Sequence, residues 1–272
     1  MSEMTLKFRQ THVNAVTWQR LGPGVLTHPA FRRNPRPNTS LMQGGPMTTS
    51  GREDETRMRL LEAAGEVFSS KGFRAATVRE ITRLAQANLA AIHYHFGSKE
   101  RLYQAVLEHA HREANRRYPP DLGLRGEASP EARLFAYVRA LLLRLADKGR
   151  YAWLYRLMAR EMAEPSPNLA GVVDRCLAPA NSVLRGIVAE LLGPGAEPLA
   201  VARCAQSVVG QCRHFSLDRP VLTRLYADCD PGQGGVDAVA LHVTRFSLAA
   251  MSRYQSLDVV LPTLEPISGE TL

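Results

Sequence analysis

The sequence predicts an all-α protein, and three observations carry that prediction. From Asp54 onward, apolar residues recur at spacings of three and four, the period of one helix face. No segment alternates with the period of two expected of a half-buried strand. The punctuation is helical too, with Ser, Thr or Asn ahead of the periodic runs and Gly or Pro behind them. At 272 residues, 45% of them hydrophobic, the chain is long enough for one large core or two smaller ones.

Residues 1–52 stand apart. The run "HPAFRRNPRPNTSLMQGGP" is rich in Pro, Gly, Asn and Arg and has no apolar period, so disorder is expected. Two explanations compete for residues 1–46: a basic arm that adds phosphate contacts, or a reading frame begun too early, with Met47 the true start. The lack of any folding pattern favours the second.

Helical order begins at Asp54, with Met58, Leu61, Ala64, Val67 and Phe68 on one face and Gly72 as the closing cap. "TVRE", Thr77 to Glu80, is a capping box that opens a short helix to about Ala85, with Ile81 and Leu84 facing inward. "QAN" makes the turn. Asn88 then caps a third helix from Leu89 to about Phe96, which Gly97 ends. Ser98 caps a fourth, "KERLYQAVLEHAHREANRR", which stops before Pro119-Pro120. Two short helices joined by a tight turn between two long ones form a helix-turn-helix, whose second short helix can enter a major groove.

The rest is also helical. Ser129-Pro130-Glu131 starts a helix to about Asp147, with Ser as cap and Pro in the first turn. Tyr151–Ala163 follows, then Asn168–Leu192, broken at Pro179. Pro198 opens a helix to about Phe215, and a short piece follows Pro220. The last long helix runs from Val236 to Tyr254, with Val236, Val239, Val243, Phe246, Ala250 and Tyr254 along one face. Residues 257–272 are expected to be a flexible tail.

Composition narrows the function classes. The net charge of +8 is uneven: residues 1–46 hold six Lys/Arg against one acid, residues 47–118 twelve against nine, and residues 119–272 sixteen of each. That asymmetry suggests a polyanion-binding head on a neutral body. No apolar run reaches the roughly 18–20 residues of a membrane span, and the N-terminus has no signal-peptide core. A cytoplasmic protein without membrane association is expected. Cys176, Cys204, Cys212 and Cys229 show no C-x-x-C spacing and are expected to be small core residues rather than disulfide or zinc partners.

The stretch "ANLAAIHYHFGSKERLYQAV" concentrates the chemistry. His93 and His95 are two residues apart, about 200° around a helix, so they cannot chelate one ion as an i, i+4 pair does. His109 and His111 repeat that spacing, and no metal or cofactor is expected. No G-x-S-x-G motif, phosphate-cradling Gly loop or paired acid and base occurs, so no catalytic residue and no enzyme are expected. Leu89, Ile92 and Phe96 form the inward face of the third helix. Ala90, Ala91, His93 and Tyr94 point outward or flank it. Small residues permit close approach to a groove, and His and Tyr can bond phosphates or base edges. Ser98 and Lys99 open the next helix, whose free amides favour a phosphate.

These residues carry a family likeness. "ATVREITRLAQANLAAIHYHFGSKERLYQAV" resembles the DNA-binding domain of TetR-type transcriptional repressors over about Thr56–Ala110. "ANLAAIHYHFGSKERLY", "AREMAEPSPNL" and "HVTRFSLAAM" are similar, more narrowly, to the CecR-like group, extending the likeness over Glu53–Tyr254. The resemblance implies an N-terminal three-helix helix-turn-helix DNA-binding domain, residues 53–110, and a C-terminal helical ligand-binding and dimerisation domain, residues 111–256. It implies phosphate contacts at Thr77 and Arg79, base-facing positions at Leu89, Ala90 and His93, and backbone anchors at Ala91, Tyr94, His95 and Lys99. Two positions depart from the pattern. Ala91 lacks the hydroxyl often found there, and His93 stands where tyrosine or asparagine is common.

For the body the resemblance implies a small-molecule effector and a homodimer built from the last two long helices. Ala202, Ala205, Val209 and Cys212 with Val239, Val243, Phe246 and Ala250 would supply the interface, unless these faces are buried inside one chain. Trp153, Tyr155, Met158, Glu161, His214 and Phe215 are the ligand candidates, with Tyr151 beside them, though aromatics at helical spacing also suit a core. Arg160 and Glu161 would either orient a polar ligand or form a structural ion pair. The expected function is a ligand-responsive repressor that binds a palindromic double-stranded DNA operator as a homodimer and is released by its effector. The alternatives are a sequence-tolerant nucleoid or scaffold protein and an activator of the same type.

Overall fold

A computed structural model describes residues 49–124, 127–228, 232–254 and 256, and every regular element among them is a helix. In order these are α1 (Thr49–Ala75), α2 (Val78–Leu84), α3 (Leu89–Phe96), α4 (Lys99–Arg117), α5 (Pro130–Leu145) and α6 (Trp153–Ala163). There follow α7 (Leu169–Val172), a π turn (Val173–Leu177), α8 (Ala178–Leu192), α9 (Pro198–Leu217), α10 (Arg219–Leu225) and α11 (Gly235–Met251). Of the stretch 1–52 expected to be disordered, residues 49–52 instead form the first turn of α1, while the expectations for residues 1–48 and 257–272, and for Cys229, lie outside the described residues. Among the described residues no helix is long and apolar enough to cross a membrane.

The N-terminal core follows from the apolar period. Leu60, Leu61, Ala64 and Phe68 of α1 are fully buried, with Met58 and Val67 half-buried at the edges. Gly72 takes φ +78°, a left-handed conformation that breaks the helical path inside α1 and turns Phe73 back onto the core. Phe73 then meets Tyr103 of α4 at 5.1 Å between ring centroids, and Tyr103 stands edge-on to Phe68 at 4.9 Å. Such T-shaped pairs bring positive ring edges to negative faces. Truncating a buried phenylalanine like Phe68 costs about 3–5 kcal/mol. The same core continues into α6, where Trp153, Leu154, Leu157 and Met158 are buried, and reaches Val172 and Cys176 around the π turn. Helix α6 thus completes the core of the first four helices.

A second core joins α5, α8, α9 and α11 through Leu134, Val138, Leu184, Val188, Val208 and Val243, among others. Four sequence expectations change here. Leu84, expected inward, is 48% exposed, and α2 buries Ile81, Thr82 and then Ala85 instead. Leu89 is 45% exposed, so Ile92 and Phe96 are the buried residues that hold α3 down, with Ala91 packed beside them. Pro179 does not break the helix. Its missing N–H and bulky ring are absorbed by the preceding π turn, and the path runs on into α8. Finally, the expected dimer face is divided. Ala205, Cys212, Val239 and Val243 are buried within the chain, whereas Phe246 is 59% exposed and Ala250 is exposed. On α11 the inward residues are Val239, Ala240, Val243, Thr244, Ser247 and Met251, which leaves Phe246 at the open edge of that face. The thiols of Cys176, Cys204 and Cys212 are free and buried. Burial pushes Cys212 up to about 12, which makes it unreactive near neutral pH.

Candidate nucleic-acid interface

The helix-turn-helix is assembled by caps. Thr77 Oγ1 accepts from the Glu80 amide at 3.3 Å, and the Thr77 amide and hydroxyl donate to Glu80 Oε2 at 3.2 and 3.0 Å. Lys71 donates to the other carboxylate oxygen. That bond and then the Thr77 bonds hold the Glu80 carboxyl below its usual range. The cap places Arg79 on the exposed side of the first turn. Gln86 turns the chain at φ +51°, and Asn88 Oδ1 accepts from the Ala90 amide at 3.1 Å, which satisfies one free donor at the start of α3. Gly97 at φ +79° closes α3, and Ser98 Oγ accepts from the Arg101 amide at 3.3 Å to open α4.

The outer side of α3 presents Leu89, Ala90, His93 and Tyr94. Ala91 is half-buried and packs against the first core. The Nδ1 of His93 lies 3.0 Å from the Gly97 carbonyl, which only accepts. Nδ1 therefore carries the proton, and in the neutral ring Nε2 is left as an outward acceptor. Tyr94 is 72% exposed, and its ring meets that of His95 edge-on at 4.9 Å. His93 and His95 thus make separate contacts. A shallow groove between α1 and α3 is lined by Arg52, Glu53, Thr56, Ala90, Ala91, Tyr94 and His95, and the Tyr94 hydroxyl donates to Glu53 Oε1 at 3.5 Å. Lys99 donates to the Arg74 carbonyl at 3.3 Å and lies over the Phe73 ring at 4.7 Å, so it also fixes the end of α1.

Sequence reasoning missed three contributors to this face, Arg52, Glu53 and Thr56. They precede or begin the apolar period of α1, so they carried no folding signal, and only the packing of α1 beside α3 brings them to Tyr94 and His95. Thr77 was expected to contact phosphate, but its hydroxyl is already shared with Glu80. Arg79 makes none of the ion pairs described.

The six ligand candidates do not form one site. Trp153 and Met158 are buried in the first core, and Tyr155 packs against it with its phenol pushed up to about 12 by burial. Glu161 is buried and fully engaged. Tyr103 donates to Oε2 at 2.6 Å, and the Ser166 amide and hydroxyl donate to Oε1 at 3.0 and 2.7 Å. Arg160 reaches instead to the Ser70 carbonyl at 3.0 Å and to Glu164 at 4.0 Å. His214 and Phe215 belong to the other core's surface, where Phe215 meets His242 at 5.6 Å and His242 meets Phe246 at 6.3 Å.

Comparison with known proteins agrees with this geometry. Residues 60–106 match the family described as bacterial regulatory proteins, tetR family, and residues 130–251 match the C-terminal domain of the HTH-type transcriptional dual regulator CecR. The uncharacterized HTH-type transcriptional regulator TtgW of Pseudomonas putida is 37% identical over 93 residues, which are 34% of this chain and 68% of that protein. The dual regulator CecR of Shigella flexneri is 27% identical over 195 residues, 66% of this chain and 83% of that one. The match to the repressor NicS of Pseudomonas putida is 45% identical, but spans only 23% of this chain and 29% of NicS. A transcriptional regulator from Rhodococcus sp. RHA1 shares the fold at 21% identity and a TM-score of 0.51, over 75% of this chain and 99% of that one. A second Rhodococcus RHA1 protein of the tetR family does so at 20% identity and a TM-score of 0.54, over 72% and 96%. The chain belongs to the TetR family, whose members are regulators and not enzymes: it is a helix-turn-helix transcriptional regulator with a CecR-type C-terminal domain.

Proposed function

We propose that the protein is a ligand-responsive repressor that binds a palindromic operator as a homodimer and is released by a small-molecule effector. The observation that carries this reading is α4. It opens at the capped end of the helix-turn-helix and buries Leu102, Tyr103, Val106, Leu107 and Ala110 against helices of the head and of the body. A shift of α4 in the body therefore moves the reading head. The head would be residues 53–110 and the sensor and dimerisation part residues 111–256. Leu89, Ala90 and His93 would face the bases. Thr77, Arg79, Ala91, Tyr94, His95 and Lys99 would contact the backbone, with the capped start of α2 and the small α3 surface supporting that division.

The dimer would use the outer sides of α9 and α11. Phe246 and Ala250 are exposed there at the edge of the face that α11 already buries, and an apolar strip left open beside a core needs a second cover. Two heads on one dimer would take half-sites about 34–36 Å apart, or a multiple of that. The effector would couple to DNA by about 1–3 kcal/mol.

A dual or activating role is the second reading, favoured by the description of the CecR relative as a dual regulator. Genome-wide footprinting followed by operator titration with and without candidate effectors tests both. Release on ligand binding is expected. Affinity that follows salt but not sequence would instead assign a nucleoid-type protein.

A further inference from the structure

Among the described residues, the seam between the two cores holds a cation with no counter-ion. Arg144, near the end of α5, is only 5% exposed. Its Nη1 donates to Asn115 Oδ1 of α4, while its Nε is sealed from solvent with no partner. A guanidinium does not give up its proton, and a buried charge is tolerated only when something compensates it. None of the ion pairs among the described residues includes Arg144. Asp147, three residues on, is taken by Arg117 at 3.2 Å and by the Gly149 amide at 3.0 Å. Beside Arg144 lies His111 of α4, whose Nε2 is likewise sealed and unpartnered. The guanidinium is close enough to act on His111, Tyr155 of α6, Tyr137 of α5 and Cys212 of α9, all of which are uncharged at neutral pH.

We propose that Arg144 and His111 receive the anionic head of the effector, and that the effector is a small organic monocarboxylic acid. This rests on the ligand-responsive reading above. The geometry favours a carboxylate. One guanidinium edge offers two parallel N–H donors, which match two carboxylate oxygens. A single uncompensated positive charge neutralises a monoanion, and the surrounding phenols and apolar side chains suit an organic body. Asn115 holds Nη1, which leaves the Nε–Nη2 edge for the acid. Asn115 and His111 both lie on α4, so an acid held by Arg144 and His111 would act directly on the helix that carries the reading head.

The test uses the full chain and three acids, benzoate, phenylacetate and octanoate, each beside its uncharged amide. Thermal unfolding and calorimetric titration are read for wild type, Arg144→Met and Asn115→Ala. At least one acid is expected to raise the midpoint and its amide not to. Arg144→Met should weaken that acid at least tenfold, yet unfold at a higher temperature than wild type without ligand, because it removes an uncompensated charge. Asn115→Ala should bind the acid about as tightly as wild type, since Nη1 lies outside the edge that takes the carboxylate. The proposal is overturned if Arg144→Met unfolds at a lower temperature, or if no acid outperforms its amide. Amides that bind and release operator as well as the acids would overturn it while leaving ligand response intact. If neither set binds and operator affinity never changes, the ligand-responsive reading falls with it.

Discussion

The indole of Trp153 in α6 occupies the space beside Gly65 in α1, where a Cβ would stand 2.2 Å from Cζ2 of the ring. Trp153 is buried, so its ring has little room to retreat. In a free helix Gly→Ala would gain up to about 1 kcal/mol. At this position overpacking is expected to dominate, and Gly65→Ala should destabilise the protein by about 1–3 kcal/mol in urea unfolding. Trp153→Leu in the Gly65→Ala background should recover part of that loss. Additive losses would mean that the two residues do not constrain each other.

The carboxylate of Glu161 ties α4 to the segment after α6. Tyr103→Phe removes one of its three donors and should cost about 1–3 kcal/mol. Glu161→Gln should cost a similar amount, and the double variant less than the sum. A full sum in a double-mutant cycle would show that the buried contact at 2.6 Å carries no coupling.

Acid should weaken the fold through His111. Burial, and then the Arg144 charge, pull its imidazole down to about 4. The unfolded chain keeps an ordinary value near 6.5 and so binds more protons between the two. The contribution is complete above about pH 6.5 and is lost as pH falls toward 4, by as much as about 3 kcal/mol. The lowered carboxyls Glu80, Glu100 and Glu113 act in the same direction but at lower pH. Comparing His111→Leu with wild type at pH 7.5 and 5 isolates the effect, since His109, also lowered by burial, is present in both. Parallel loss in the two proteins would assign the acid sensitivity elsewhere.

On DNA, His93 and Lys99 should behave differently. With Nδ1–H held by Gly97, His93 Nε2 can accept from a base amine, and His93→Ala should cost about 1–3 kcal/mol and relax preference at one operator position. Equal loss on all sequences would make it a phosphate contact. Lys99→Ala should lower the salt slope by about one unit. An unchanged slope together with a lower unfolding midpoint would restrict Lys99 to holding Phe73 and the Arg74 carbonyl.

The sequence by itself determined the all-helical class, the capped turn and the positions of Asn88, Gly97 and Ser98, because caps and breaks act within a few residues and need no distant partner. It also fixed Ile81, Ile92, Phe96 and Phe68 as core, where the apolar period is unambiguous. What covers a helix is a different matter. Periodicity ranked Leu84 and Leu89 with the buried residues and placed Phe246 beside Val243, but neighbouring helices decide which side of an all-round apolar surface is buried. The same holds for Arg144. It shares the inward stripe of α5 with Leu134 and Tyr137, a signal that was legible, but only the approach of α4 shows that no carboxylate arrives to meet it. Local chemistry writes the ends of helices into the chain. Burial and charge compensation depend on residues far apart in sequence, and so belong to the tertiary structure.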